Sequence, residues 1–196
     1  MTVQATPHLR RLDSFVNWLM LGVFVLALAL GWAVKTSAEN RTVAFDQSGL
    51  RVRYPEGWVR VEAQPPALFH VEDRTAAGYR SSLTIEMRPA PTGLKDPLAA
   101  VQQSIALDRG SRWTAFRVLR VENNASMFGR SGTHVTFAFV ETHPNPFLET
   151  VPVVMEGEDL LVANDDQVYV FTLTAAEPNF ARTRAALRSL VQSWLP

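Results

Sequence analysis

The chain of 196 residues has no cysteine, only two lysines beside 17 arginines, and no excess of charge of either sign. The absence of cysteine excludes disulfide scaffolds, thiolate zinc sites, iron–sulfur clusters and thiol nucleophiles. Zero formal net charge argues against a nucleic-acid-binding protein, which needs a basic face to meet phosphates. At 47% hydrophobic residues the sequence is also too apolar for intrinsic disorder. These limits leave one folded domain, or one domain with an appendage.

A long apolar run near the start is the strongest single signal. The 21 residues from Ser14 to Val34 carry no charge, and as a helix they span roughly 31 Å, which matches a hydrocarbon core of about 30 Å. A cleavable signal peptide, the alternative, has an apolar stretch of only about 7–15 residues. By a small margin, the basic residues around the run predict a cytoplasmic N-terminus and a C-terminal domain in the periplasm or outside the cell. We expect a tail (1–13), a transmembrane helix (14–35), a linker (36–42) and one domain (43–196).

Small residues recur along this run at a spacing that suits contact with another helix. Ala27 and Gly31 are four residues apart, as are Ala29 and Ala33, and such pairs let helices approach closely in lipid. The Asn17 amide can hydrogen-bond to a neighbouring helix. The alternative is that alanine and glycine are simply common in membrane helices. These five residues are candidate contacts with partner subunits.

The rest of the chain predicts an α+β domain built on antiparallel strands. Apolar and polar residues alternate at 50–54, 83–87 and 135–139, as in strands with one buried face. Short polar stretches, including Gly157-Glu158-Asp159 and Asn164-Asp165-Asp166, are typical of turns between strands. The strand candidates beyond residue 60 are 68–71, 83–87, 113–121, 134–140, 150–155, 160–163 and 167–174.

Two helices interrupt these strands. Asp96 followed by Pro97 predicts a helix start, because Asp accepts hydrogen bonds from free amides and proline fits the first helical turn. This helix is expected to end at Gly110. The second helix is expected to start near Pro178 and to place Leu187 and Val191 on its buried stripe. Short connections favour antiparallel pairing, so the fold class is an antiparallel sheet flanked by helices.

Both ends of this domain resemble the PsbP-like family. The segment Gly49-Leu50-Arg51-Val52-Arg53-Tyr54-Pro55-Glu56-Gly57-Trp58 is similar to the family's first strand and its Tyr-Pro-x-Gly-Trp turn. The final strand at 168–174 and a helix ending in Ser193-Trp194 are similar to the family's close. The resemblance covers residues 43–196 and implies a central antiparallel sheet between helices. It also implies a binding or accessory module, as in the photosystem II extrinsic protein, a Ran-binding import factor and bacterial envelope proteins, rather than an enzyme.

Few residues suggest chemistry. His70 and Glu72 share a strand face and could meet at a metal, but two ligands make a weak site and solvated side chains are expected. Ser131 lies outside a G-x-S-x-G motif and is expected to belong to a turn. An acidic group could bind calcium, but its spacing is not that of an EF-hand, so solvated turns are expected. The acidic residues are Glu156, Glu158, Asp159, Asp165 and Asp166. We predict no catalytic, cofactor-binding or metal-binding residues.

A proline-rich segment offers one more candidate contact. His143 lies between Glu141 and Pro146, where two prolines preset the backbone, and Phe147 and Leu148 follow. This segment is either an exposed contact surface or an ordinary connection between strands.

These observations together predict a non-enzymatic, single-pass accessory subunit. Its expected partners are the lipid bilayer and the other subunits of a larger membrane complex, which it would stabilise or help to assemble. An energy-converting or electron-transfer complex is the first candidate, on the family resemblance alone. The alternative is an independent envelope protein that binds a small ligand or lipid, for which a closed apolar pocket would be the sign. A metal-assisted hydrolase using His70 and Glu72 is the third hypothesis.

Overall fold

The first 41 residues and the rest of the chain form separate compact units in a computed structural model. The structure describes residues 7–39, 41–47, 50–74, 79–127, 129–142 and 152–194. In the first unit, helix α1 runs from Pro7 to Glu39 over 33 residues. Its apolar part, Val16–Ser37, is the one helix in the described chain that is long and apolar enough to cross a membrane.

Helix α1 is longer than the membrane segment predicted at 14–35, and it continues into the predicted linker 36–42. Within this continuation the Thr36 hydroxyl lies 3.0 Å from the carbonyl oxygens of both Trp32 and Ala33, and it shares its one proton with that preceding helical turn, a bond that helical backbone permits but that does not cause the helix to continue. No glycine or proline follows before Glu39 to break the helix.

The second unit is an α+β domain. Its described residues form an antiparallel hairpin of β1 and β2 and a sheet of seven strands in the order β3-β4-β5-β9-β8-β7-β6, in which every pairing is antiparallel. The prediction of an antiparallel sheet flanked by helices is confirmed. The elements are β1 (Thr42–Gln47), β2 (Leu50–Pro55), β3 (Val59–Arg60), β4 (Ala67–Asp73), β5 (Ser81–Pro89), α2 (Pro97–Arg112), β6 (Thr114–Met127), β7 (Arg130–Glu141), β8 (Val153–Asn164), β9 (Gln167–Ala176) and α3 (Glu177–Ser193).

The large sheet is covered on both faces. Successive residues of a strand point to opposite faces, so Leu160 and Leu161 of β8 mark the two sides. Leu160 belongs to the apolar core shared with α3 and the β1–β2 hairpin, whereas Leu161 packs with Val101 and Ile105 of α2. We call these the α3 face and the α2 face. Helix α2 begins as the sequence predicts, since the Asp96 carboxylate accepts a hydrogen bond from the Ala99 amide.

One sequence-based interpretation is wrong here. Gly157-Glu158-Asp159 does not separate two strands, because β8 is continuous from Val153 to Asn164. Gly157 lies opposite Phe137, and the Phe137 ring fills the space that a Cβ at Gly157 would occupy. Asp159 pairs with Arg109 in the interior, and Glu158 pairs with Arg184 at the edge of the core. Strand β8 can therefore continue through two charged residues whose polarity alone predicts a turn.

The two ends of the domain that resemble PsbP-like proteins pack together. The Ser193 hydroxyl accepts a hydrogen bond of 2.7 Å from the Arg53 amide of β2 and donates to the Leu190 carbonyl. Trp194 is buried against Tyr169 and Phe171 of β9. The serine and the aromatic residue therefore tie the end of α3 to the hairpin and to the sheet.

Candidate functional site

A polar cleft lies on the α3 face, lined by side chains of β6, β7, β8 and α3. Its volume is about 460 Å³. In the paired strands, Glu122 lies opposite His134 and Thr136 lies opposite Glu158, which places these side chains in adjacent rows on one face. The lining residues are Arg120, Glu122, Ala125, Ser126, Met127, His134, Thr136, Glu158 and Arg184.

Charged groups of alternating sign cross the cleft with His134 at the centre. From the strand edge inwards, Arg120 Nε lies 2.5 Å from Glu122 Oε1, and Glu122 Oε2 lies 3.8 Å from His134 Nδ1. On the other side, His134 Nε2 lies 3.5 Å from Glu158 Oε1. Arg184 of α3 then closes the row, with its Nε 2.8 and 2.9 Å from the two Glu158 oxygens.

The central groups of the row are buried and the outer ones are exposed. His134 is 7% exposed and Glu158 is 4% exposed, whereas the Arg120 side chain is mostly in solvent. Burial by itself raises the pKa of the Glu158 carboxyl, but the neighbouring His134 ring and the hydrogen-bonded Arg184 guanidinium, together with their charges, outweigh that effect. The pKa of Glu158 is therefore lowered from the ordinary 4.5, and Glu158 is a carboxylate at neutral pH.

His134 is not fully satisfied by this arrangement. Its Nε2 is buried without a hydrogen-bond partner of normal length among the described residues, because 3.5 Å exceeds the usual N–H···O distance of about 2.7–3.2 Å. A neutral imidazole has one N–H and one lone pair, so it can donate to only one of its two carboxylate neighbours. The cleft can therefore hold a small polar group beside the unpartnered His134 Nε2.

The opposite, α2 face carries a buried ion pair that sequence reasoning missed. Arg109 donates to both carboxylate oxygens of Asp159, at 2.6 and 3.0 Å, and to the Thr172 hydroxyl at 3.0 Å, while that hydroxyl donates to Asp159 at 2.7 Å. The Arg109 guanidinium lies 4.6 Å from the Phe137 ring centre and 5.0 Å from that of Trp113. Among the described residues, neither Arg109 nor Asp159 has a buried side-chain polar atom without a hydrogen-bond partner, which is the condition under which buried charges are tolerated.

A second histidine pair occupies β4. His70 and Glu72 share a strand face, as the sequence predicts, with His70 Nε2 3.5 Å from Glu72 Oε1. Glu72 also lies 3.0 Å from Arg80, and the Thr84 hydroxyl lies 3.2 Å from His70 Nδ1. The side chains are largely buried rather than solvated, with 27% and 18% exposed. In the described part of the chain, histidine, aspartate and glutamate form no group of three that could hold a metal ion.

The acidic residues expected at solvated turns have different environments. Glu158 and Asp159 are buried and paired with arginine, so that expectation is wrong for both. Asp165 and Asp166 do form the two-residue turn between β8 and β9, where Asp165 has a positive φ of 51°. Ser131 lies inside β7, immediately after the hairpin turn.

The predicted partner contacts remain predictions. Asn17, Ala27, Ala29, Gly31 and Ala33 are all exposed on α1. The other three candidates, His143, Phe147 and Leu148, lie outside the described residues.

The domain has the fold of PsbP-like proteins. No protein-family model and no curated protein sequence matches the chain. The structure is similar to the solution structure of cyanobacterial PsbP (CyanoP) from Synechocystis sp. PCC 6803, with a TM-score of 0.53, 15% identity, and coverage of 81% of this chain and 92% of that one. Two other similar structures have TM-scores below 0.5. LpqN of Mycobacterium tuberculosis, involved in cell envelope biogenesis, has 0.47 at 13% identity, covering 80% of this chain and 91% of its own. The Ran-binding protein Mog1p of Saccharomyces cerevisiae has 0.45 at 12% identity, covering 79% and 95%.

Proposed function

We propose that this protein is a non-enzymatic, single-pass accessory subunit that stabilises or helps to assemble a larger membrane complex. Helix α1 supports the proposal most strongly. None of its 22-residue apolar part is buried in the structure, and large apolar side chains such as Phe24 and Leu28 are exposed. Such a surface needs a bilayer or another protein to cover it. The helix fits a membrane anchor or a signal sequence, and we propose the uncleaved anchor.

In this proposal the helix also contacts partner subunits. The small residues Ala27 and Gly31 fall on one side of the helix, and Ala29 and Ala33 on another. Asn17 provides an amide near the start of the apolar part. The CyanoP-like fold of the attached domain makes an energy-converting or electron-transfer complex the first candidate, by analogy of fold alone.

The orientation of the anchor can be tested directly because the chain has no native cysteine. Single cysteines are introduced as Thr2→Cys in the N-terminal tail and Gln103→Cys on the exposed side of α2. We expect a membrane-impermeant maleimide to label Gln103→Cys in intact cells and Thr2→Cys only after permeabilisation. The reverse pattern would refute the proposed topology, and a chain lacking the tail when isolated would refute the uncleaved anchor.

The cleft supports a second candidate function, a tethered envelope protein that binds a small ligand. Its volume of about 460 Å³ is within the range of ligand sites, but its lining is charged and open rather than apolar and closed. It therefore favours a small polar ligand over a lipid. Calorimetric titration of the full chain with polar metabolite mixtures, with Glu158→Gln as the control, would support this function if saturable heat appeared only in the unmodified protein.

A further inference from the structure

The backbone ladder that joins the edge strand β6 to β7 is irregular. It pairs only with β7 in the described sheet, and its register shifts at three places, between Thr114 and Arg117, between Val118 and Arg120, and between Glu122 and Ala125. Each shift interrupts the ladder of backbone hydrogen bonds. Side-chain contacts from β6 to the rest of the sheet therefore have a large effect on how often this edge opens.

Such contacts come from the row of charged side chains around His134, which consists of Arg120, Glu122, Glu158 and Arg184 and is called the His134 row below. Glu122 is on β6, His134 on β7, Glu158 on β8 and Arg184 on α3, so the row spans the edge strand, two inner strands and a helix. Among the described residues that line the cleft, Arg120 of β6 is the remaining charged group. With neutral His134, one of the two glutamates meets a ring nitrogen without a proton. With protonated His134, both ring N–H groups can donate, one to Glu122 and one to Glu158.

We propose that His134 is a pH-dependent latch, whose protonation links Glu122 of β6 to Glu158 of β8 and holds the edge strand closed. Histidine is the side chain that ordinarily changes charge between about pH 5 and pH 8. The distances of 3.5 and 3.8 Å lie just beyond hydrogen-bond length, so a small movement on protonation completes both bonds. Deprotonation removes one bond, and β6 opens more often. The latch goes beyond the accessory role and does not depend on it.

Hydrogen–deuterium exchange of the full chain in detergent micelles tests the latch. Protection factors of β6 amides are compared at about pH 6 and about pH 8, after correction for intrinsic exchange, with the central strand β9 as internal reference. A charge-assisted hydrogen bond contributes enough to make β6 about tenfold more protected at the lower pH. β9 should show no such difference.

Three variants separate the latch from other pH effects. We expect His134→Gln to abolish the β6 difference. Glu122→Gln, at a half-exposed site, should abolish it too, because an amide can pair with either form of the ring. Glu122→Gln decides the outcome if His134→Gln does not fold. His70→Gln is the matched control, since His70 makes the same 3.5 Å contact with a glutamate on β4, and it should leave the difference intact. Equal protection of β6 at both pH values, or a difference that survives in Glu122→Gln, would overturn the proposal.

Discussion

Arg109 of α2 holds both carboxylate oxygens of Asp159 on β8, and both side chains are buried in the domain interior. The guanidinium lies over Phe137, and the Phe137 ring in turn lies over Gly157. This stack joins the helix on one face of the sheet to two inner strands. Substitutions at Arg109 and at Gly157, the two ends of this stack, test whether the domain packs as described.

Replacing Arg109 with an uncharged residue should strongly destabilise the folded domain. We expect Arg109→Met to lower the free energy of unfolding by about 3–5 kcal/mol, because Asp159 would stay buried without its charge partner. Denaturant unfolding of the full chain in micelles measures the change. Arg112→Met is the matched control, since Arg112 pairs with Asp108 on the exposed side of the same helix, and its effect should stay below about 1 kcal/mol. A similar loss in both variants would contradict the account of the buried pair.

Glycine substitutions in the domain should have opposite signs at two positions. Gly157→Ala would push its Cβ into the Phe137 ring, and we expect it to destabilise the protein by about 1–3 kcal/mol. Gly110→Ala lies in helix α2 with only an ordinary contact of 3.8 Å to Phe116, so it should stabilise the protein by about 0.5–1 kcal/mol. Thermal unfolding of both variants measures the signs. Stabilisation by Gly157→Ala would contradict the described packing.

The ionised Glu158 carboxylate should stabilise the folded domain at neutral pH and lose this effect in acid. Because its pKa is lower in the folded chain than the ordinary 4.5, the folded state binds this proton less readily than the unfolded state does. Its stabilising effect is therefore complete above about pH 4.5 and is lost as the pH falls through the lower folded-state value. We expect the stability difference between the unmodified chain and Glu158→Gln to follow this course. Glu156→Gln, half-exposed on the same strand, is the control, and an equal pH dependence in that variant would be inconsistent with this assignment.

Much of the fold could be predicted from local pattern. Alternation at 83–87 and 135–139 located β5 and β7, and Asp96-Pro97 located the start of α2, because burial of one face and capping of free amides are local requirements. The turn assigned to Gly157-Glu158-Asp159 was wrong because the arginines that neutralise these charges are distant in sequence. Arg184 is 26 residues from Glu158, and Arg109 is 50 residues from Asp159.

The polar sites were harder to foresee. Arg109 continues the stripe of Val101 and Ile105 at intervals of four, so the helical period alone places it on the buried face. The cleft gave no such signal. It is assembled from β6, β7, β8 and α3, and only the strand register places His134 between Glu122 and Glu158.

In the proposed function, α1 packs against partner subunits in the membrane. The most direct measurement is the native mass of the affinity-tagged full chain, purified in mild detergent, with and without Ala27→Leu and Gly31→Leu together. We predict one discrete assembly of fixed subunit stoichiometry, larger than the chain with its micelle, that dissociates in the double variant because leucine prevents close helix approach. Leu26→Ile and Leu30→Ile together, which keep side-chain volume, should leave the assembly intact. A lone monomer, or an assembly unchanged by the Ala27 and Gly31 substitutions, would contradict the account.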